Sequence, residues 1–165
     1  MVYRHAGLIN ITIYGLNKKY LWIADHFKQW HRENVFLLHR LNHPSMLNEQ
    51  LLNPQSIVVV GGSDNTSKPG GKVLENILHD GYDGRLYVLN PGHTVVQGVP
   101  SFAEVQDLPD DIDLAIVAVS ASLTVEVADK LARLRNTRAF IVISAGFSED
   151  GPEGETLEQE LKNIV

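Results

Sequence analysis

Ser56-Ile57-Val58-Val59-Val60-Gly61-Gly62-Ser63-Asp64-Asn65-Thr66-Ser67-Lys68-Pro69-Gly70-Gly71-Lys72 is the stretch on which the reading of this chain turns. Four consecutive β-branched aliphatic residues run into a glycine pair. A polar loop follows, and a second glycine pair leads into a helical pattern. A continuous apolar run of this kind reads as a strand buried on both faces, which is the mark of a parallel sheet. The glycines let the backbone approach a ligand closely. The helix that follows points its N-terminus at that ligand, an arrangement that commonly holds an anion such as a phosphate.

The same alternation of elements continues downstream. Lys72 to Asp80 reads as a helix with Val73, Leu74, Ile77 and Leu78 on one face, stopped by Gly81 at its C′ position. Arg85 to Leu89 is a second strand ending in Asn90-Pro91-Gly92, and Val95 to Val99 is a short third strand or a bulge. Ser101 is placed to cap a short helix from Phe102 to Asp107, with Glu104 completing a capping box. Asp113 to Val119 is the fourth strand, Leu123 to Asn136 a helix with Val127, Leu131 and Leu134 inward, and Ala139 to Ile143 the fifth strand. Ser144 to Ser148 is then a loop, and Gly154 to Val165 a final acidic helix. Strands alternating with helices imply an α/β fold, a Rossmann-like, doubly wound parallel sheet with right-handed crossovers. The expected strand order is 3-2-1-4-5. Ligands of such sheets bind beyond the C-terminal ends of the strands, where four loops (61–71, 90–93, 119–122 and 144–148) should converge.

Composition narrows the chemistry. The chain has 165 residues and no cysteine, which excludes disulfides, thiolate metal sites and a cysteine nucleophile. No apolar run approaches the ~20 residues of a membrane-spanning helix, and Lys18-Lys19 stand where a signal peptide would have its cleavage site. A soluble cytoplasmic protein, with no membrane or nucleic-acid partner, is the expectation. Charge is placed unevenly. Residues 1–45 carry 6 basic and 2 acidic side chains, residues 46–165 carry 8 and 18, and both tryptophans with five of the seven histidines precede Met46. This break divides an N-terminal extension, 1–45, from a globular unit, 46–165. Tyr20 to Leu41 has helical character but no clean apolar face, and its basic and aromatic mixture is read as a tail rather than a nucleic-acid surface. His26, His31, His39 and His43 lack the companion ligands of a metal site. Met46 to Leu52 makes a short amphipathic helix, ended by Asn53-Pro54, that delivers the chain to the first strand.

Two familiar phosphate loops do not fit. The dinucleotide fingerprint requires G-x-G-x-x-G and an acidic residue at the end of the second strand. Here the loop is longer and the strand ends in Asn90-Pro91, so a nicotinamide dinucleotide is disfavoured. A Walker A loop requires G-x-x-x-x-G-K-[ST], whereas Gly71-Lys72 is followed by Val73 and Thr66 stands at the first glycine position. Ser144 and Ser148 lack the G-x-S-x-G elbow of a serine nucleophile. They are read as hydrogen-bond donors, and Asp64 is read as a turn residue. Gly70-Gly71 fits tight helix packing and direct phosphate contact equally well.

From Ser56 to Glu149 the chain resembles the CoA-binding domain of the NDP-forming acyl-CoA synthetases, the superfamily of ADP-forming acetyl-CoA synthetase and the succinyl-CoA synthetase α-subunit. The resemblance rests on Ile57 to Asn65, Ser67-Lys68-Pro69-Gly70-Gly71-Lys72-Val73, Val88-Leu89-Asn90-Pro91, Gly98-Val99-Pro100-Ser101, Asp113 to Val119, and Ile143-Ser144-Ala145-Gly146-Phe147-Ser148-Glu149. It implies that Gly62, Ser63, Asn65 and Lys68, with Gly70, hold the phosphates of coenzyme A. It further implies that Asn90, Pro91 and His93 line the nucleotide end, that Val119 and Ser120 flank the pantetheine arm, and that Ser144, Ala145 and Gly146 meet the thiol end. Gly92-His93 follows Asn-Pro where the family often has lysine, and Ser120 stands where proline is usual. Because the globular unit is acidic, an anionic ligand must rest on local donors: backbone N–H groups, the helix end, and Lys68, Lys72 or Arg85. In the family, a phosphorylated histidine in a following succinyl-CoA synthetase-like domain and an ATP-grasp domain complete the reaction. Neither His79 nor His93 has that context, so this chain is not expected to act as a ligase alone. The alternatives are a CoA- or nucleotide-responsive regulatory module and, more weakly, an NAD(H) sensor.

Overall fold

The computed structural model describes residues 10–13 and 49–164. Its centre is β2 (Ser56–Val60), whose five residues are all buried. Hydrogen bonding on both edges, to β3 (Arg85–Leu89) and β6 (Leu114–Val117), makes it the middle strand, which is why its sequence is apolar on both faces. β5 (Val99–Phe102) pairs parallel to β3, and β7 (Ala139–Ser144) pairs parallel to β6. The expected order 3-2-1-4-5 is therefore found, with Val99–Phe102 as its third strand. Two antiparallel strands flank this core. β4 (Val95–Val96) folds onto β5, and β1 (Asn10–Ile13) lies on the outer edge of β7, giving the order β1-β7-β6-β2-β3-β5-β4.

Alternate residues of β2 enter two separate cores. Ile57 and Val59 face α1 (Glu49–Leu52) and α2 (Pro69–His79), packing with Leu51, Val73, Leu74 and Ile77. Val58 and Val60 face the side covered by α3 (Ala121–Leu134) and α4 (Pro152–Ile164), with Ala128, Leu131, Phe147 and Leu161. Helices thus cover both faces of the sheet.

Several expected boundaries shift, each for a local reason. α2 begins at Pro69, not Lys72: proline supplies the fixed φ of a first helical position, and the two glycines behind it are helical. α4 likewise starts at a proline, Pro152, rather than at Gly154. α3 starts at Ala121 and ends at Leu134. Leu134 is exposed because Arg135 takes the next inward position, its guanidinium donating to the carbonyls of Val105 and Gln106 and to Asp110. Leu78 is exposed as well, while Gly81 terminates α2 as expected, with Tyr82 N–H donating to Ile77 O and φ of 71° at the glycine. The capping box at Ser101 does not form. Ser101 lies within β5, and a 3-10 turn, Val105–Asp107, follows Glu104 with no side-chain cap. Ser144 closes β7 rather than opening the loop.

The expected helix from Tyr20 to Leu41 lies outside the described residues, as does Met46–Asn48 of the segment leading to β2. Among the residues whose burial is described, those packed in the two cores run from Leu51 onward, and β1 adds an edge strand against β7. Residues 46–165 expressed alone are accordingly expected to melt in one cooperative transition. A broad, non-cooperative loss of ellipticity would show that residues 1–45 are required.

Candidate functional site

The strand register creates the site. Val60 lies opposite both Leu89 and Val117, and Val117 opposite Val142, so four parallel strands reach one row across the sheet. Beyond that row the chain leaves as four loops, those singled out in the sequence. Arg85 begins β3 and therefore stands at the other end of the sheet, reaching Asp111 O. It is withdrawn as a local donor for a ligand at this end. Lys72 is engaged by Glu75 at 2.6 Å. Lys68 is exposed and makes no ion pair among the described residues.

The loop from Gly61 to Lys68 is shaped by its own polar groups. Asn65 N–H donates to Ser63 Oγ (3.1 Å), Ser67 N–H to Asn65 Oδ1 (2.9 Å), and Lys68 N–H to Asn65 O (3.0 Å). The candidate residues Ser63 and Asn65 thus turn the loop as well as line it. Gly70 and Gly71 are buried at the start of α2. A Cβ on Gly70 would run into Gly61 O, and one on Gly71 into Asn65 O and Ser63 O. The helix starts with its backbone against the loop backbone, which is the packing reading of this pair. Gly62 is also buried, and a Cβ there would meet Val88 Cγ1 at 2.9 Å.

Asn90, at the end of β3, ties two loops together. Its Nδ2 donates to Gly62 O (2.9 Å), and its Oδ1 accepts from Gly92 N–H (2.9 Å). Pro91 and His93 are exposed on the turn that follows. Ser120, the N-cap of α3, is exposed beside half-buried Val119. Ala145 is exposed, and Gly146 donates its N–H to Glu149 Oε1 at 2.9 Å.

Ser144 differs from the other candidates. It is buried, and its hydroxyl lies 3.0 Å from that of buried Thr124, which also donates to Ser120 O. This pair joins the start of α3 to the end of β7. Behind it, Gly154 packs its backbone on Phe147 O, bringing α4 against the 145–148 loop. Burial raises the Glu158 carboxyl pKa, but hydrogen bonds from Lys162 and Ser148 more than offset this and hold it below the usual carboxylate range. The sequence reading missed Thr124, whose position on an amphipathic helix looks like ordinary core. It also missed Gln97, which donates Nε2 to Ser63 O (2.7 Å) and Gly71 O (2.8 Å).

Among the described residues, no group of histidine, aspartate and glutamate side chains could hold a metal ion, and no helix is long and apolar enough to cross a membrane. Among the described residues, this end of the sheet presents small residues, a polar loop and the exposed ammonium of Lys68.

A family model described as the CoA binding domain matches residues 55–164. The chain is 32% identical over 115 residues to acetate–CoA ligase [ADP-forming] II of Archaeoglobus fulgidus, covering 70% of this chain and 17% of that protein. It is 32% identical over 117 residues to acetate–CoA ligase [ADP-forming] I subunit alpha of Pyrococcus furiosus, covering 68% and 25%. Among solved structures, the dinucleotide forming acetyl-coenzyme A synthetase 1 of Ca. Korarchaeum cryptofilum, in complex with phosphate and ADP, superposes with a TM-score of 0.65 at 35% identity, over 70% of this chain and 24% of that one. The chain therefore spans a quarter or less of the length of these relatives.

Replacing Gly71 by alanine is expected to destabilise the protein by about 1–3 kcal/mol, the usual range for overpacking a closed site. Thermal denaturation of Gly71→Ala against the parent measures this, and an unchanged melting temperature would show that the loop yields freely.

Proposed function

The chain belongs to the CoA binding domain family, and we propose that it holds coenzyme A for acyl transfer completed by other domains or subunits of an ADP-forming acyl-CoA synthetase. The row of strand ends at Val60, Leu89, Val117 and Val142 carries this reading, because it directs all four candidate loops to one side of the sheet. In this arrangement Gly62, Ser63, Asn65 and Lys68 take the phosphates. Asn90 has both ends of its side-chain amide engaged within the protein, so its part is to set the distance between the first and second loops. Exposed Pro91 and His93 border the nucleotide end, Val119 and Ser120 flank the pantetheine arm, and Ala145 and Gly146 receive the thiol end. Ser144 supports that end from below through Thr124.

The charge balance is compatible with an anionic ligand. Exposed acidic groups further than about 8 Å are screened at physiological salt, whereas Lys68 and the loop N–H groups act at contact distance. The partners are an ATP-grasp unit and a succinyl-CoA synthetase-like unit carrying the phosphorylated histidine. A relative named as a subunit alpha supports a division of the machinery among chains.

Thermal-shift measurements with CoA, NAD and ATP separate this reading from a dinucleotide sensor. CoA at about 100 times its dissociation constant is expected to add about 2.7 kcal/mol of stability, and NAD none. A shift with NAD and none with CoA would overturn the proposal. Lys68→Ala is expected to lose about 1.5–3 kcal/mol of CoA binding, the range of a charge-assisted hydrogen bond, and to flatten its salt dependence. Unchanged affinity and salt dependence would remove Lys68 from the site.

A further inference from the structure

Gln97 occupies the turn between β4 and β5 with φ of 49°, and Gly98 follows at 81°. Val96 pairs with Val99 across this two-residue connection, so Gln97 is the first central residue of a hairpin turn with two positive φ angles. Such turns favour Asn, Asp or Gly at that position, and a longer side chain there is held by other contacts. Here three hydrogen bonds do so, and all of them run to the 61–71 loop. Gln97 N–H donates to Asp64 Oδ1 at 2.7 Å. Its Nε2 donates to Ser63 O at 2.7 Å and to Gly71 O at 2.8 Å. Two carbonyls converging on one terminal atom fix that atom as the nitrogen, and both of its hydrogens are used. Ser63 begins the polar loop and Gly71 lies in the first turn of α2, so one carboxamide closes the loop into a ring.

We propose that Gln97 is a positioning residue for ligand binding, a staple from the β4–β5 hairpin that holds the 62–68 loop in its binding shape. The proposal rests on the reading of this loop as the CoA phosphate cradle. The side chain is half-buried and its polar end is spent on protein carbonyls. Its effect on the ligand therefore passes through the backbone of Ser63 and Gly71, with the Asp64 carboxylate held by the Gln97 N–H.

Two variants of the full chain test this. Gln97→Gly suits the positive φ and removes both side-chain bonds. Gln97→Glu keeps the length but presents oxygens to two carbonyls. Hydrogen exchange is followed at Asn65, Ser67 and Lys68, whose N–H groups are bonded within the loop, and CoA affinity is measured by calorimetry. Gln97→Gly is expected to keep the parent melting temperature, to exchange these three amides roughly tenfold faster, and to bind CoA roughly tenfold more weakly. Gln97→Glu should show larger effects of the same sign. Parent-like exchange in both variants, or parent-like CoA affinity in both, would overturn the proposal. If the parent chain itself fails to bind CoA, the functional reading falls, and the exchange measurement still decides whether Gln97 holds the loop.

Discussion

The loops at the C-terminal end of β2 depend on backbone lying directly on backbone where α2 begins. Gly70 rests on the carbonyl of Gly61, and Gly71 on those of Asn65 and Ser63, with no room for a methyl group between them. This contact forces the loop to fold over the helix start instead of standing away from it. It also brings a row of carbonyl oxygens close together, which a hydrophobic core cannot satisfy. Of these, Ser63 O takes Gln97 Nε2 from the hairpin and Asn65 O takes Lys68 N–H, while Gln97 also reaches Gly71 O and Asn90 reaches Gly62 O from the end of β3. The close approach and the polar cross-links meet on the same loop.

The opposite wall of the site is organised by a different principle. There the Thr124–Ser144 hydroxyl pair links helix to strand, and the backbone of Gly154 presses α4 onto the carbonyl of Phe147. One wall is thus a loop folded by hydrogen bonds, and the other a short turn trapped between two helices. The first offers N–H groups and Lys68; the second offers small side chains.

The fold was legible because its signals are strong and local. Ile57–Val60, a β-branched run bounded by a glycine pair, read as a strand buried on both faces, and the order 3-2-1-4-5, expected from a doubly wound sheet, is the one found. Helix starts were less legible, because Gly70-Gly71 carries poor helical propensity that tertiary packing overrides. Leu134, expected inward, is exposed, while the neighbouring Arg135 is half-buried with its guanidinium on four acceptors, Val105 O, Gln106 O, Leu134 O and Asp110 Oδ1. Within the candidate set, motif residues were visible but their division of labour was not. Ser144 and Ser120 look alike in sequence, yet one is buried against Thr124 and the other is exposed. Gln97 was invisible because its partners are 26 and 34 residues away and a glutamine before a glycine carries no helical or strand signal of its own.

At the far end of the sheet, Asp113 accepts from the N–H groups of Gln55 and Ser56 at 2.8 and 3.2 Å, while fully buried Ser56 donates its hydroxyl to Asp111 O and accepts from Asp113 N–H. These bonds tie the starts of the two central strands together without any ligand. The molecule therefore has an anchored pole and a loop-bearing pole, separated by the length of five residues of strand. The four loops thus share none of the bonds that align the starts of β2 and β6.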